Sequence, residues 1–188
     1  MRPGTGPAAL TLSLLALFFS APALAESVDI DVTAEIPVRC GFAPGGTNSV
    51  SAPRDLESAA TLSIRVGLDC NAPFALGITA ENGALINLDA SEDGSGYAFR
   101  KNYGLSVALD TDRGQVRSEH CASSSLVAVG ACGFVSAVPG EGLGSGPGIS
   151  VNRDATLTID WSDQAAERSR LAPGRYRDTI VIVVGARA

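Results

Sequence analysis

The single histidine of the chain, His120, lies in the run Ser118-Glu119-His120-Cys121-Ala122-Ser123-Ser124-Ser125. A base beside a thiol and several hydroxyls is the raw material of nucleophilic catalysis. His120 would pair there with Ser123, Ser124, Ser125 or Cys121. Catalysis needs convergent groups, however, and no Gly-x-Ser-x-Gly elbow exists in the chain. Cys121 reads better as half of a disulfide. A lone histidine in a polar loop reads as a solvated side chain, so a secreted hydrolase built on His120 ranks last among the readings considered.

Asp89-Ala90-Ser91-Glu92-Asp93-Gly94 resembles the opening of a calcium loop. The twelfth position of such a loop falls on Arg100, where the ion requires a bidentate Glu. The match fails at its strongest ligand, and the segment reads as a polar hairpin loop. The four cysteines are Cys40, Cys70, Cys121 and Cys132. No Cys-x-x-Cys occurs and only one histidine is present, which disfavours a zinc site. An even cysteine count in an exported chain points to disulfides, with three possible connectivities. The preferred one is Cys40–Cys70 and Cys121–Cys132, because each pair flanks one segment. Chain entropy gives roughly 3–4 kcal/mol for the longer loop and about 3 kcal/mol for the shorter. No catalytic residue, metal ligand or cofactor is expected.

Any such groups would be carried on strands, because the dominant hydrophobic period is two. Val28, Ile30, Val32, Ala34, Ile36 and Val38 alternate with polar or small residues. Leu62 to Leu68, Phe74 to Ala80, Tyr103 to Leu109 and Leu157 to Trp161 do the same. Tyr176, Ile180, Ile182 and Val184 close the series in a nearly continuous β-branched run. Turn signals separate the sets: Pro44-Gly45-Gly46, Asn82-Gly83, Asp93-Gly94, Pro139-Gly140 and Pro173-Gly174. This arrangement predicts an all-β antiparallel sandwich or barrel in one domain. Gln164 to Leu171 reads as a polar loop, residues 139–150 as a flexible glycine-rich surface loop, and Trp161 as core. Ser27 to Arg39 is too long for one ordinary strand: roughly 43 Å at about 3.3 Å per residue. Its second half is expected to form the domain's own first strand, tied by Cys40, and its first half to pair elsewhere.

Export is expected from the first 25 residues. Arg2 opens the chain, Leu10 to Phe19 is an uncharged apolar run, and Ala23-Leu24-Ala25 is a small-x-small cleavage site. That run is too short to cross a hydrocarbon core of roughly 30 Å. The expected organisation is 1–25 signal peptide, 26–38 N-terminal segment and 39–188 β-domain. The chain holds 14 Lys+Arg against 20 Asp+Glu, and loss of the signal removes Arg2 as well. An acidic domain without a basic run has no electrostatic footprint for nucleic acid or for anionic lipid.

Three residue groups then point to one family. They are the alternating segment Val28 to Cys40, the stretch Leu68-Asp69-Cys70-Asn71-Ala72-Pro73-Phe74 running on to Asn82-Gly83, and Leu157 to Trp161 followed by Leu171-Ala172-Pro173-Gly174-Arg175-Tyr176-Arg177-Asp178-Thr179-Ile180. The chain resembles the spore coat protein U family, whose members look like pilin subunits of the archaic chaperone–usher pathway. The resemblance implies an immunoglobulin-like sandwich lacking its last strand. The sequence agrees in that only Gly185 to Ala188 follow Val184. It implies that a periplasmic pilus chaperone and then a neighbouring subunit supply the missing strand, with an outer-membrane usher as further partner. By match, the donor side chains are Val28, Ile30, Val32, Ala34 and Ile36, and the acceptor groove is expected at Tyr176, Ile180, Ile182 and Val184. The Cys40–Cys70 pair matches the family's bond between its first two strands. The aromatic residue that conventional chaperone–usher pilins carry near the C-terminus is absent, and the second cysteine pair and the glycine-rich loop are local elaborations. The implied role is a structural subunit of a surface fibre or coat, exported through the periplasm to the cell surface. The alternative is a secreted or periplasmic binding module with a complete sandwich.

Overall fold

The computed structural model describes residues 28–44, 55–127 and 131–187. The signal segment and the turn residues Gly45 and Gly46 lie outside them. The chain divides into two units, Met1–Glu35 and Ile36–Ala188. In the first unit, residues 28–35 form no strand, and Val28, Ile30 and Val32 are exposed to 80, 80 and 87%.

The second unit is an all-β sandwich of antiparallel sheets. In chain order its strands are β1 (Cys40–Phe42), β2 (Ala60–Cys70), β3 (Phe74–Ala80), β4 (Leu85–Asn87), β5 (Arg100–Lys101) and β6 (Gly104–Thr111). There follow β7 (Gly114–Arg117), β8 (Cys121–Ala122), β9 (Leu143–Gly144), β10 (Ser150–Trp161), β11 (Tyr176–Arg177) and β12 (Ile180–Ala186). One sheet has the order β1-β2-β10-β6-β7, with β8 also paired to β6. The other layer consists of two short sheets, β12-β3-β9 and β11-β4-β5. They run on from each other, because Glu81 N–H donates to Thr179 O and Leu88 N–H to Arg175 O. Between the layers the inward positions interdigitate as a continuous core: Leu68 from β2, Leu76 and Ile78 from β3, Leu105 and Leu109 from β6 and Leu157 from β10, all fully buried.

The alternating sets become β2, β3, β6, β10 and β12, each with its apolar members facing inward. β10 begins seven residues earlier than its alternation, at Ser150, because a bulge between Val151 and Arg153 breaks the period. Asn152 supplies the left-handed conformation there, with φ 52°, a region its short polar side chain tolerates.

Three expectations need correction. The second half of Ser27–Arg39 is not a strand: the first strand starts at Cys40. Pro37 lacks an N–H for the ladder, and side chains hold Pro37 and Arg39 instead. Residues 139–150 are not a simple surface loop. β9 pairs with Ala75 and Leu76, and buried Ser145 accepts Phe74 N–H at 2.9 Å while donating to Gly148 O at 2.9 Å. Gly142 is required there, since a Cβ would sit 2.4 Å from Leu76 O. Within Gln164 to Leu171, Gln164–Ala166 form one 3₁₀ turn capped by the Asp163 carboxylate. Its buried Gln164 accepts from the chain's single lysine, Lys101, whose Nζ lies 2.6 Å away and also donates to Ser162 O at 2.9 Å.

Both disulfides follow the preferred connectivity, Cys40–Cys70 and Cys121–Cys132, and no cysteine is free. They indicate an oxidising, extracytoplasmic environment. No helix among the described residues is long and apolar enough to cross a membrane. Non-reducing peptide mapping should recover these two pairs alone. Replacing Cys40 and Cys70 by Ala should cost roughly 3–4 kcal/mol in denaturant unfolding of the oxidised protein.

Candidate functional site

The largely apolar opening of the sandwich follows from how its edge strands are paired. β1 covers β2 only at Leu68–Cys70 and also lies against β12. From Ala60 to Val66, β2 pairs with β10 alone, and β12 has β3 as its one partner among the described strands. Burial tracks this pairing. Inward residues of β2 pass from half-buried Leu62 and Ile64 to buried Val66 and Leu68, whereas Ile180, Ile182 and Val184 of β12 stay half-buried throughout.

A groove of about 550 Å³ results. Leu62, Ile64, Ile159 and Trp161 form its wall on the large sheet, and Leu85 and Ile180 face them from the other layer. Its mouth is polar, with Arg175, Tyr176 and Asp178. The Tyr103 hydroxyl donates to Asp178 at 2.8 Å, while the other oxygen of Asp178 accepts Asn82 N–H at 3.0 Å and Thr179 N–H at 2.8 Å. Burial, reinforced by that carboxylate, pushes the Tyr103 phenol well above its usual range, so it remains a hydrogen-bond donor at any physiological pH. The Tyr176 hydroxyl donates to Ala172 O at 2.7 Å. An apolar slot beside a strand with an unpartnered edge is chemically suited to an extended chain with alternate apolar side chains.

The sequence-derived groove candidates fall as follows. Tyr176 and Ile180 line the groove, and Ile182 and Val184 continue the inward face of β12 against the core. The large-sheet wall was missed. Leu62, Ile64, Ile159 and Trp161 read simply as core, and Trp161 is indeed buried, its Nε1–H donating to Ser58 O at 3.1 Å. Alternation marks which residues face inward and carries no signal for whether another strand covers them. The donor candidates Val28, Ile30, Val32 and Ile36 are exposed, as is Ala34.

His120 and the serines beside it are not brought together by hydrogen bonds. His120 Nε2 lies 2.9 Å from Asp160 Oδ1, with both side chains substantially exposed, and it contacts none of the serines proposed for it. Ser123 is buried and accepts Tyr103 N–H. Glu119 stands close to Cys121 and Cys132, but the two sulfurs are bonded to each other and the carboxylate accepts Gly133 N–H. Asp89 is engaged by Arg175 and Asp93 by Ser95 N–H. No protein-family model matches the chain, and no curated protein matches it in sequence.

Two measurements follow. His120→Ala should shift unfolding by less than about 1 kcal/mol, as expected for an exposed side-chain contact; a larger loss would mean that the Asp160 contact anchors β10. Elsewhere on the surface, hydrogen bonds from Arg170 and Arg175 hold the Glu57 and Asp89 carboxyls below their ordinary values. A carboxyl depressed in the folded state stabilises above its unfolded pKa, near 4, and that contribution disappears as pH falls through the folded value. Thermal stability should therefore be flat from pH 8 to 5 and fall below about 4. Glu57→Gln with Asp89→Asn should remove part of the acid decline, and an unchanged acid limb would show that these pairs contribute nothing.

Proposed function

We propose that this chain is a structural subunit of a surface fibre or coat, assembled by strand exchange in the manner of the spore coat protein U-like subunits it resembles. The groove between β2 and β12, filled by a chaperone's strand before assembly, then takes the segment Val28 to Ile36 of a neighbouring subunit delivered through an usher. The observation that carries this reading is a complementary mismatch. Among the described residues, β12 and the first half of β2 have half-buried apolar faces and too few partner strands, while residues 28–36 have an alternating apolar face and no strand partner. β-augmentation joins such surfaces: main-chain hydrogen bonds supply affinity and alternate side chains fill the slot. Each large side chain buried contributes roughly 1.5–3 kcal/mol as an upper bound.

The two faces of the segment provide the test. Val28, Ile30, Val32, Ala34 and Ile36 point one way in an extended chain, and Asp29, Asp31, Thr33 and Glu35 the other. A charge on the first face loses its water without gaining a partner, and a charge on the second stays solvated. Val32→Asp should therefore abolish self-assembly followed by size-exclusion chromatography, with the monomer still folded by circular dichroism, while Asp31→Lys should assemble. Normal assembly of Val32→Asp would defeat the proposal. Unfolding of its monomer would assign the segment to its own domain, and a binding module with a complete sandwich would then be the better account.

A further inference from the structure

Residues 37–40 are held more firmly than an ordinary linker. The Cys40–Cys70 disulfide fixes one end. Asn71, in the turn after β2, then grips the preceding residues from both sides of its amide. Its Oδ1 accepts Arg39 N–H at 2.8 Å, and its Nδ2 donates to Pro37 O at 2.9 Å. Its own N–H donates to Arg39 O at 3.1 Å. The Arg39 guanidinium adds two bonds to Asp69, at 3.1 and 3.3 Å.

The register gives this clamp a direction. β1 is antiparallel to β2 with Cys40 opposite Cys70, so the chain on the N-terminal side of Cys40 runs beside Asn71, past the point where β2 ends. The groove wall at Leu62 lies at the other end of β2, eight residues away and about 26 Å at roughly 3.3 Å per residue. Residues 37–39, on this course, run away from the groove wall at Leu62. Reversal is opposed at the point where it would have to occur. The Pro37 ring fixes its φ, its carbonyl is engaged by Asn71, and Ile36, as the residue before a proline, is biased to extended backbone.

We infer that Asn71 is a positioning residue that sets the exit direction of the N-terminal segment, so that the segment is offered to a second copy of the chain instead of closing into its own groove. This rests on the strand-exchange reading above. The clamp works on partition between two occupants of the same slot: an intramolecular donor, favoured by a high effective concentration, and an intermolecular one. Holding residues 37–39 on an outward course removes most of the intramolecular advantage.

The experiment compares the oxidised, refolded chain with Asn71→Ala, with Asn71→Asp and with a deletion of residues 26–36. Chromatography reads the monomer-to-oligomer ratio, and limited proteolysis of the monomer fraction reads whether residues 28–36 are protected. Asn71→Ala should raise the protected, closed monomer about tenfold relative to oligomer, equivalent to about 1.4 kcal/mol for two modest hydrogen bonds. Asn71→Asp keeps the acceptor for Arg39 N–H and loses the donor to Pro37 O, so it should fall between. A merely structural role would lower thermal stability without protecting the segment. Wild-type partition in Asn71→Ala, or in Asn71→Asp should the alanine variant fail to fold, overturns the inference, as does failure of both variants to fold. Oligomers from the deletion variant equal to those of the wild type would instead defeat the strand-exchange reading itself.

Discussion

An inward-facing apolar row on a strand must be covered from both sides, and in this sandwich β12 has β3 on one side and no strand on the other among the described residues. Most of the site depends on that imbalance. It leaves Ile180, Ile182 and Val184 half-buried although they alternate like core residues, and it opens the slot against Leu62, Ile64 and Trp161. At the far end of β2 the imbalance disappears. β1 pairs with Leu68–Cys70 and lies against β12, and the inward residues of β2 there, Leu68 and Cys70, are fully buried. The fold is therefore well packed at the disulfide end and under-covered at the end bearing Trp161.

What keeps the under-covered end in shape is polar. Asp178, between β11 and β12, collects the Tyr103 hydroxyl from the large sheet, the Asn82 amide from the turn after β3, and Thr179 N–H. Buried Lys101 fastens the connection after β10 through Ser162 O and Gln164. These bonds do not need the groove to be filled. A core contact made through a strand that filled the slot would be lost without that strand, whereas a satisfied hydrogen bond at its rim persists. The mouth is thus defined by interactions that stand independently of any occupant.

The long strands β2, β3, β6, β10 and β12, their inward faces and the preferred cysteine pairing were legible in the sequence because each rests on a local rule: alternation, glycine-bearing turns and the spacing of four cysteines. The short strands β4, β5, β7 and β8 are too brief to show a period. The groove was legible from one side only. Tyr176 to Val184 attracted attention through the family resemblance, while Leu62 and Ile159 carry the same alternation whether or not a strand lies over them. β9 was hidden for a related reason. Two residues pairing through Ala75 and Leu76 produce no period, and the glycines around them, Gly142 above all, are there to approach β3 closely. The bulge at Asn152 concealed the first half of β10 by shifting the phase of its pattern. The Asn71 clamp was invisible because nothing in Asn71-Ala72-Pro73 distinguishes a side chain that caps a turn from one that grips residues 32 and 34 positions earlier.

An exposed alternating apolar segment is a hazard in solution, since it is also the signature of indiscriminate edge pairing. Here the hazard is limited by the same period that creates it. Asp29, Asp31 and Glu35 occupy the alternate face, placing like charges at nearly every second residue, and no basic residue intervenes before Arg39. Two such segments laid side by side would bring acid against acid, which opposes their pairing with each other. A slot that buries one face and leaves the other in water imposes no such penalty. Under the strand-exchange proposal, the acidic face would discriminate between partners by disfavouring the wrong one, and the apolar face would supply the attraction to the right one. That division of labour requires the segment to remain extended with its two faces distinct, and the proline at its base helps to ensure this by biasing Ile36 to extended backbone.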